Sequence, residues 1–148
     1  MNSNMVFKFT VFVKCQLAYR DTIGAILRHV CNNLEAQGEP ANLGHQVLSA
    51  FNEAFNNLVS HGGDQVDEKD VAVTIMVKNK QLIIEMNDDA KGFKPPTRIP
   101  AIKNPRESGM GLLIIKEFMD FHDYKHISET GVNTLRMVRN LSIEPSYA

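Results

Sequence analysis

Three polar side chains recur at four-residue spacing in one segment of the chain: Glu53, Asn57 and His61. Residues four apart share a helix face, so this spacing predicts a single polar stripe. An amide oxygen such as that of Asn57 is a suitable ligand for Mg²⁺, and a carboxylate such as that of Glu53 can accept a proton from an attacking hydroxyl. A solvated helix face without a chemical role would have the same spacing, so the stripe alone leaves both interpretations open.

A second motif follows an apolar segment, where Asp88, Ala90 and Gly92 stand at every other position. A carboxylate only accepts hydrogen bonds, and adenine carries an exocyclic amino donor, so Asp88 could select that base. Gly92 could permit a sharp turn or a close approach of the backbone to a ligand. The alternative is an ordinary loop after a strand.

A third motif is the run Ser108-Gly109-Met110-Gly111, which precedes an apolar helical pattern. Glycines at a helix start expose unpaired backbone N–H groups, and the helix dipole adds positive potential there, so the run could bind phosphate. Ser108 could simply be an N-cap. Two glycines in the first turn favour a functional explanation, because glycine lowers helix stability.

Hydrophobic periodicity and turn residues predict the elements that position these motifs. The expected strands cover residues 6–17, 71–77, 82–86, 124–128 and 134–139. The expected helices are 22–37 with Asp21 or Thr22 as N-cap, a second from Asn42 to a stop at Gly62 and Gly63, and a third from 109 to near 121. A tight turn near Asn79 and Lys80 should join two strands as a hairpin.

These elements predict one domain over residues 1–148. The fold class is an α+β two-layer sandwich: a mixed, largely antiparallel sheet with about three helices on one face. Residues 93–108 contain four prolines and four basic residues, a composition that excludes a regular helix and is typical of a functional lid or a disordered segment.

Composition narrows the function further. The chain is 43% hydrophobic and 22% charged, a composition that is typical of a globular protein. Its net charge of -1 creates no overall electrostatic field that would attract it to nucleic acid or anionic lipid. The two cysteines, Cys15 and Cys31, are too few for a disulfide framework and indicate a reducing compartment. No apolar run approaches the ~20 residues of a membrane helix, so we expect a cytoplasmic protein without membrane or direct nucleic-acid contact.

In their order along the chain, the motifs resemble those of the GHKL ATP-binding superfamily, with its histidine kinase-like (Bergerat-type) ATPase domain. Within it the chain is most similar to the bacterial anti-sigma-factor serine/threonine kinases. The resemblance covers about residues 6–139. The matching segments are NEAFNNLVSHG, IIEMNDDAKGF and SGMGLLIIKEFMD, of which the last is the most specific.

The resemblance implies a role for each motif residue. Asn57 would bind Mg²⁺ and Glu53 would be the general base. Asp88 would hold the adenine amino group, with Gly92 supporting its loop and Thr134 lying near the base. The remaining residues implied to line the site or contact phosphate are Asn56, His61, Ser108, Gly109, Met110 and Gly111.

It also implies an ATP-dependent enzyme that phosphorylates a serine-bearing antagonist, sequesters a sigma factor and forms a homodimer. Two departures favour an alternative, a catalytically weak or inactive ATP-binding module that regulates by partner binding. Ala90 replaces a usual glycine, and Glu107 stands where a basic residue is common, although Arg106 could substitute for it.

Two further classes of ATPase are less consistent with the chain. The catalytic domain of a histidine kinase needs a helical hairpin presenting an acceptor histidine, whereas one short helix precedes Glu53 and its His29 fits a surface or packing role. A gyrase- or chaperone-type ATPase needs a transducing domain, for which we expect no residues to remain.

Overall fold

The computed structural model describes residues 4–61, 65–88, 109–127 and 132–146. Its three α-helices are α1 (Leu17–Ala36), α2 (Leu43–His61) and α3 (Gly109–Phe118), and a short 3-10 turn spans Val66–Glu68. Its five strands are β1 (Met5–Lys14), β2 (Asp70–Lys78), β3 (Gln81–Asp88), β4 (Phe121–Ile127) and β5 (Val132–Asn140). Among the described helices, none is long and apolar enough to span a membrane.

The strands form one sheet in the order β1-β2-β3-β5-β4. In the described part of the chain all four strand pairings are antiparallel, so the sheet is more regular than the mixed one expected. The β2–β3 hairpin turns at Asn79 and Lys80, whose φ angles of 53° and 58° suit a type I′ turn. The predicted hairpin is confirmed.

One hydrophobic core lies between the sheet and the helices. Alternate residues of the two central strands, such as Val73 and Ile84, are fully buried on the helix side. All three helices contribute to the same cluster, represented by Leu27, Phe51 and Ile115. The predicted two-layer arrangement, with the helices on one face, is therefore confirmed.

The junction between β1 and α1 differs from the prediction. The strand ends at Lys14, and α1 begins at Leu17 after Gln16, which makes no side-chain capping bond. The expected cap at Asp21 or Thr22 is wrong, because both residues lie within α1. The Thr22 hydroxyl donates to the Ala18 carbonyl at 3.4 Å, a bond that lets a cap-type residue sit inside a helix.

The cap at the start of α2 and the last residue of α3 also differ from the prediction. The side chain that accepts a bond from the first turn of α2 is Glu35, whose Oε2 lies 2.7 Å from the Gly44 nitrogen, while Asn42 contributes its backbone carbonyl to Gln46. Helix α3 ends at Phe118 and does not extend to Phe121, which begins β4. The expected stop of α2 at residues 62 and 63 lies outside the described residues.

Candidate functional site

The polar stripe of α2 faces the first turn of α3. A Cβ atom built on Gly111 would lie 2.9 Å from Glu53 Oε2 and 3.5 Å from Asn57 Nδ2. Gly111 itself is buried, and the two side chains beside it are half-buried. The structure thus brings together two motifs that are far apart in the sequence.

The packing of α2 explains why this stripe is turned towards α3. The apolar face of the helix is buried in the core, and its members are Leu43, Val47, Ala50, Phe51, Ala54, Phe55 and Leu58. Because Glu53 and Asn57 occupy the adjoining strip of helix surface, burial of the apolar face leaves them at the margin of the core. The two residues share a face, as their spacing predicts.

Helix α3 is held at its far end, and this fixes where its first turn lies. Ile115 and Met119 are buried in the core. The Arg139 guanidinium on β5 donates to the Phe118 carbonyl at 2.7 Å, satisfying one of the unpaired carbonyls at the helix end. Packing and this cap together hold the Gly109–Phe118 helix with its N-terminus beside α2.

A second cluster forms where β3 ends. Asp88 is the last residue of β3 and is 5% exposed, although it was expected to begin a loop. Asn133 lies directly opposite it on β5 and is 1% exposed. The Asn133 Nδ2 donates to Asp88 Oδ1 at 3.0 Å. A carboxylate in this position can accept further hydrogen bonds from a ligand.

The charge of Asp88 affects its neighbours. Burial, with a further contribution from the Asp88 carboxylate, raises the pKa of the Cys15 thiol to about 11. The same two causes, in the same order, raise the pKa of the Tyr124 phenol to about 12. Both side chains are therefore protonated at neutral pH.

Thr134 lies on the other face of the sheet from Asp88. Successive strand residues point to opposite faces, so Thr134 and Asn133 project in opposite directions. The Thr134 hydroxyl donates to Asn87 Oδ1 at 2.6 Å. The structure therefore does not bring Thr134 to the Asp88 carboxylate, whereas it does bring Asn133 there.

Sequence reasoning missed Asn133 and Arg20. The alternation of β5 could have indicated Asn133, because residues 133, 135 and 137 share the inward face of the strand and Asn133 is the polar one beside Leu135 and Met137. Arg20, on α1, donates to Asn56 Oδ1 at 2.7 Å and pairs with Asp21 at 3.0 Å. No sequence pattern links Arg20 to α2, because that contact depends on how the two helices cross.

Several predicted site residues fall outside the described part of the chain. They are Gly92, Arg106 and Ser108, together with Ala90, Glu107 and the proposed lid at 93–108. The backbones of His61 and Met110 lie in α2 and α3, but their side chains are outside the description. Gly109 is the first residue of α3.

In the part of the chain that the structure describes, three helices lie on one face of a five-stranded antiparallel sheet, an α+β fold like that of the GHKL-type ATPase domains. The chain belongs to the histidine kinase-like ATPase domain family, which matches residues 17–139. The superfamily predicted from the sequence is therefore confirmed.

Relatives and solved structures agree with this assignment. The chain is 26% identical over 105 residues to the anti-sigma F factors of two Clostridium botulinum strains, Eklund 17B and Alaska E43, covering 66% of this chain and 71% of each relative. The structure of the RsbU and RsbW domains of Rv1364c from Mycobacterium tuberculosis superposes with a TM-score of 0.64 at 16% identity. It is matched over 95% of this chain, which spans 34% of that longer one. The SiaB–SiaC complex from Pseudomonas aeruginosa gives a TM-score of 0.57 at 15% identity, with 92% and 90% coverage.

Proposed function

We propose that the chain is an ATP-dependent protein serine/threonine kinase that phosphorylates an antagonist protein and sequesters a sigma factor. The observation that carries the proposal is the contact between the α3 first turn and the α2 stripe at Gly111, Glu53 and Asn57. It joins a candidate base, a candidate metal ligand and a helix N-terminus, which are the groups that transfer of a phosphoryl group requires.

The residues present fit a Mg²⁺-bound nucleoside triphosphate. The Asn57 amide lies beside the first turn of α3, with Nδ2 the atom nearest to Gly111. Its oxygen would be a neutral ligand for Mg²⁺, which in such sites takes its other ligands from water and phosphates. Gly111 has no side chain, so Glu53 and Asn57 can lie directly against the first turn of α3 on the same wall. When bound, Mg²⁺ would neutralise charge that develops on the phosphates.

In the proposed reaction, a serine or threonine hydroxyl oxygen of the partner forms a bond to the γ-phosphorus. The bond from that phosphorus to the β–γ bridging oxygen breaks, and ADP leaves with the bonding electrons. Glu53 accepts the proton of the attacking hydroxyl. The contribution of the chain is to position the reactants and to supply an acceptor for that proton.

Base selection would come from Asp88. Its buried carboxylate can accept a hydrogen bond from the adenine amino group, and guanine or hypoxanthine presents an acceptor oxygen at the same place.

The proposed partners follow from the relatives. Similarity to anti-sigma F factors supports a sigma factor as the sequestered protein. The SiaB–SiaC complex supports a second protein as a binding partner, and our proposal makes that partner the phosphate acceptor. We include a homodimer in the proposal on the family resemblance.

The test is incubation of the purified chain with γ-labelled ATP, Mg²⁺ and a candidate acceptor, beside the acceptor whose serine is replaced by alanine. We expect label on the acceptor only when its serine and Mg²⁺ are both present. Tight ATP binding without transfer to any acceptor would favour the alternative, a module that acts by partner binding alone. Absence of ATP binding would overturn both.

A further inference from the structure

We propose that Asn133 is the positioning residue that orients the Asp88 carboxylate for adenine, in the place where the family resemblance pointed to Thr134. The inference rests on the proposed function, because it assumes that Asp88 receives the base. It names a residue of this chain that determines nucleotide specificity without itself being required to touch the nucleotide.

The geometry defines how the two side chains must be turned. Asp88 and Asn133 are direct cross-strand partners, and their side chains meet at 3.0 Å in a region where each is almost fully buried. A carboxylate accepts only, so the amide of Asn133 must present its nitrogen to it. This bond restrains rotation of the carboxylate about its terminal torsion, whose angle otherwise has a broad distribution.

A neutral donor suits this role better than a cation would. An arginine or lysine at position 133 would compensate the charge of Asp88 and weaken it as an acceptor for the adenine amino group, which is a neutral donor. Asn133 fixes the direction of the carboxylate and leaves its negative charge in place.

Thr134 supplies a matched control. It lies next to Asn133 in β5, and its hydroxyl bonds Asn87, the neighbour of Asp88 in β3, at 2.6 Å on the opposite face. The two strands therefore carry two adjacent side-chain pairs, one on each face of the sheet. Only the pair on the helix side includes the Asp88 carboxylate, which would accept a hydrogen bond from adenine.

The experiment compares the affinities of ATP and ITP, whose base carries an oxygen where adenine carries the amino group. The variants are Asn133→Leu, which keeps the branched shape of the side chain and removes the donor, Asn133→Thr, which keeps a donor, and Thr134→Val. We expect Asn133→Leu to lower the ATP-over-ITP preference about ten-fold, as removal of one bond to a charged acceptor should. Asn133→Thr should recover part of the preference, and Thr134→Val should retain all of it.

The outcomes separate this inference from the proposed function. A wild-type chain that does not prefer ATP to ITP would contradict adenine recognition by Asp88 itself. A wild-type preference that persists unchanged in folded Asn133→Leu would overturn the role of Asn133 alone. If Asn133→Leu does not give a cooperative thermal transition, Asn133→Ala decides by the same criterion. Equal losses in Thr134→Val and Asn133→Leu would also overturn the inference, because they would indicate a general effect of β5.

Discussion

Gly111 lies so close to Glu53 that a Cβ atom on the glycine would stand 2.9 Å from the carboxylate Oε2. Side-chain carbons do not normally come so near to an oxygen, so any larger residue at this position must displace Glu53. The first turn of α3 thus limits where the candidate base can lie. Glycine at this position lets the two helices meet through the Glu53 side chain.

Gly111→Ala should therefore lower phosphotransfer without unfolding the protein. Alanine is the better helix former by about 1 kcal/mol, which offsets part of the steric cost. Displacement of Glu53 by even a fraction of an ångström should reduce the transfer rate about ten- to a hundred-fold. Initial rates with labelled ATP, beside thermal denaturation of the same samples, give the measurement.

The matched control is Gly24→Ala in α1, where a new Cβ would meet Leu48 Cδ2 at an ordinary 3.5 Å. We expect this variant to keep its transfer rate and to be as stable as wild type or slightly more stable. Gly111→Ala with wild-type rates would mean that Glu53 can move aside without consequence.

Glu53→Gln should abolish transfer and leave binding intact. The substitution keeps the shape of the side chain and removes its ability to accept a proton, which should lower the rate at least about a hundred-fold. ATP affinity, measured by calorimetry, should stay within about three-fold, since the base acts on the hydroxyl of the partner. A variant as active as wild type would remove Glu53 from the reaction.

Asn57→Ala should remove the Mg²⁺ dependence of ATP binding. In wild type we expect Mg²⁺ to strengthen binding, because the Asn57 amide oxygen would be one of its ligands and the phosphates would supply others. The variant should bind ATP about ten-fold more weakly with Mg²⁺ and about equally with EDTA. Asn57→Asp, which keeps an oxygen ligand, is the control and should retain a response to Mg²⁺. An unchanged response in Asn57→Ala would show that the ion is held elsewhere.

Much of the fold was predictable because the hydrophobic pattern follows the period of each element. The apolar stripe from Leu43 to Leu58 has the period of a helix, and the alternation of apolar residues in β2 and β3 has the period of a strand. The start of α1 had no such signal, since Gln16 is not a capping type and Asp21 and Thr22 are. Boundaries set by tertiary contacts, such as Arg139 on Phe118, cannot be read from local sequence.

The candidate site was predictable only in part, for the same reason. Spacing placed Glu53 and Asn57 on one helix face, but nothing local places Gly111 against them. The family resemblance implied only that all three residues belong to one ATP site. For β5 the resemblance implied only that Thr134 lies near the base. Strand alternation turns Asn133 to the helix side, so one residue of register decides which side chain meets Asp88.

Glu39→Ala should destabilise the chain far from the candidate site. The Glu39 carboxylate is 6% exposed, and its Oε2 accepts backbone N–H bonds from Ser142 at 2.7 Å and Ile143 at 2.8 Å. Loss of a buried charged acceptor with two donors should lower the free energy of unfolding by about 2–3 kcal/mol in urea titrations. Glu144→Ala, at an exposed position, should change it by less than about 0.5 kcal/mol. Equal effects of the two substitutions would contradict a specific role for Glu39.

Alkaline pH should destabilise the protein through its buried thiols. Burial, with a smaller effect of Glu35, raises the pKa of Cys31 to about 12, and the pKa of Cys15 is raised to about 11. A thiol in the unfolded chain has a pKa of about 8.5, so above that pH the unfolded state releases protons that the folded state retains. The free energy of unfolding is then fully present below about pH 8.5 and falls as pH rises, by up to about 1.4 kcal/mol per pH unit for each thiol.

The measurement is a series of urea titrations between pH 7 and pH 10, with Cys31→Ala as the comparison. Wild type should keep a constant free energy of unfolding to about pH 8 and then lose it steadily. Cys31→Ala should be less stable at pH 7, because a buried side chain is truncated. Above pH 9 its free energy of unfolding should fall less steeply with pH, by about the 1.4 kcal/mol per pH unit that one thiol contributes. Subtraction of the two curves cancels groups common to both proteins, including Tyr124. Parallel curves would show that Cys31 releases its proton equally in the folded and unfolded states, and that burial does not protect it.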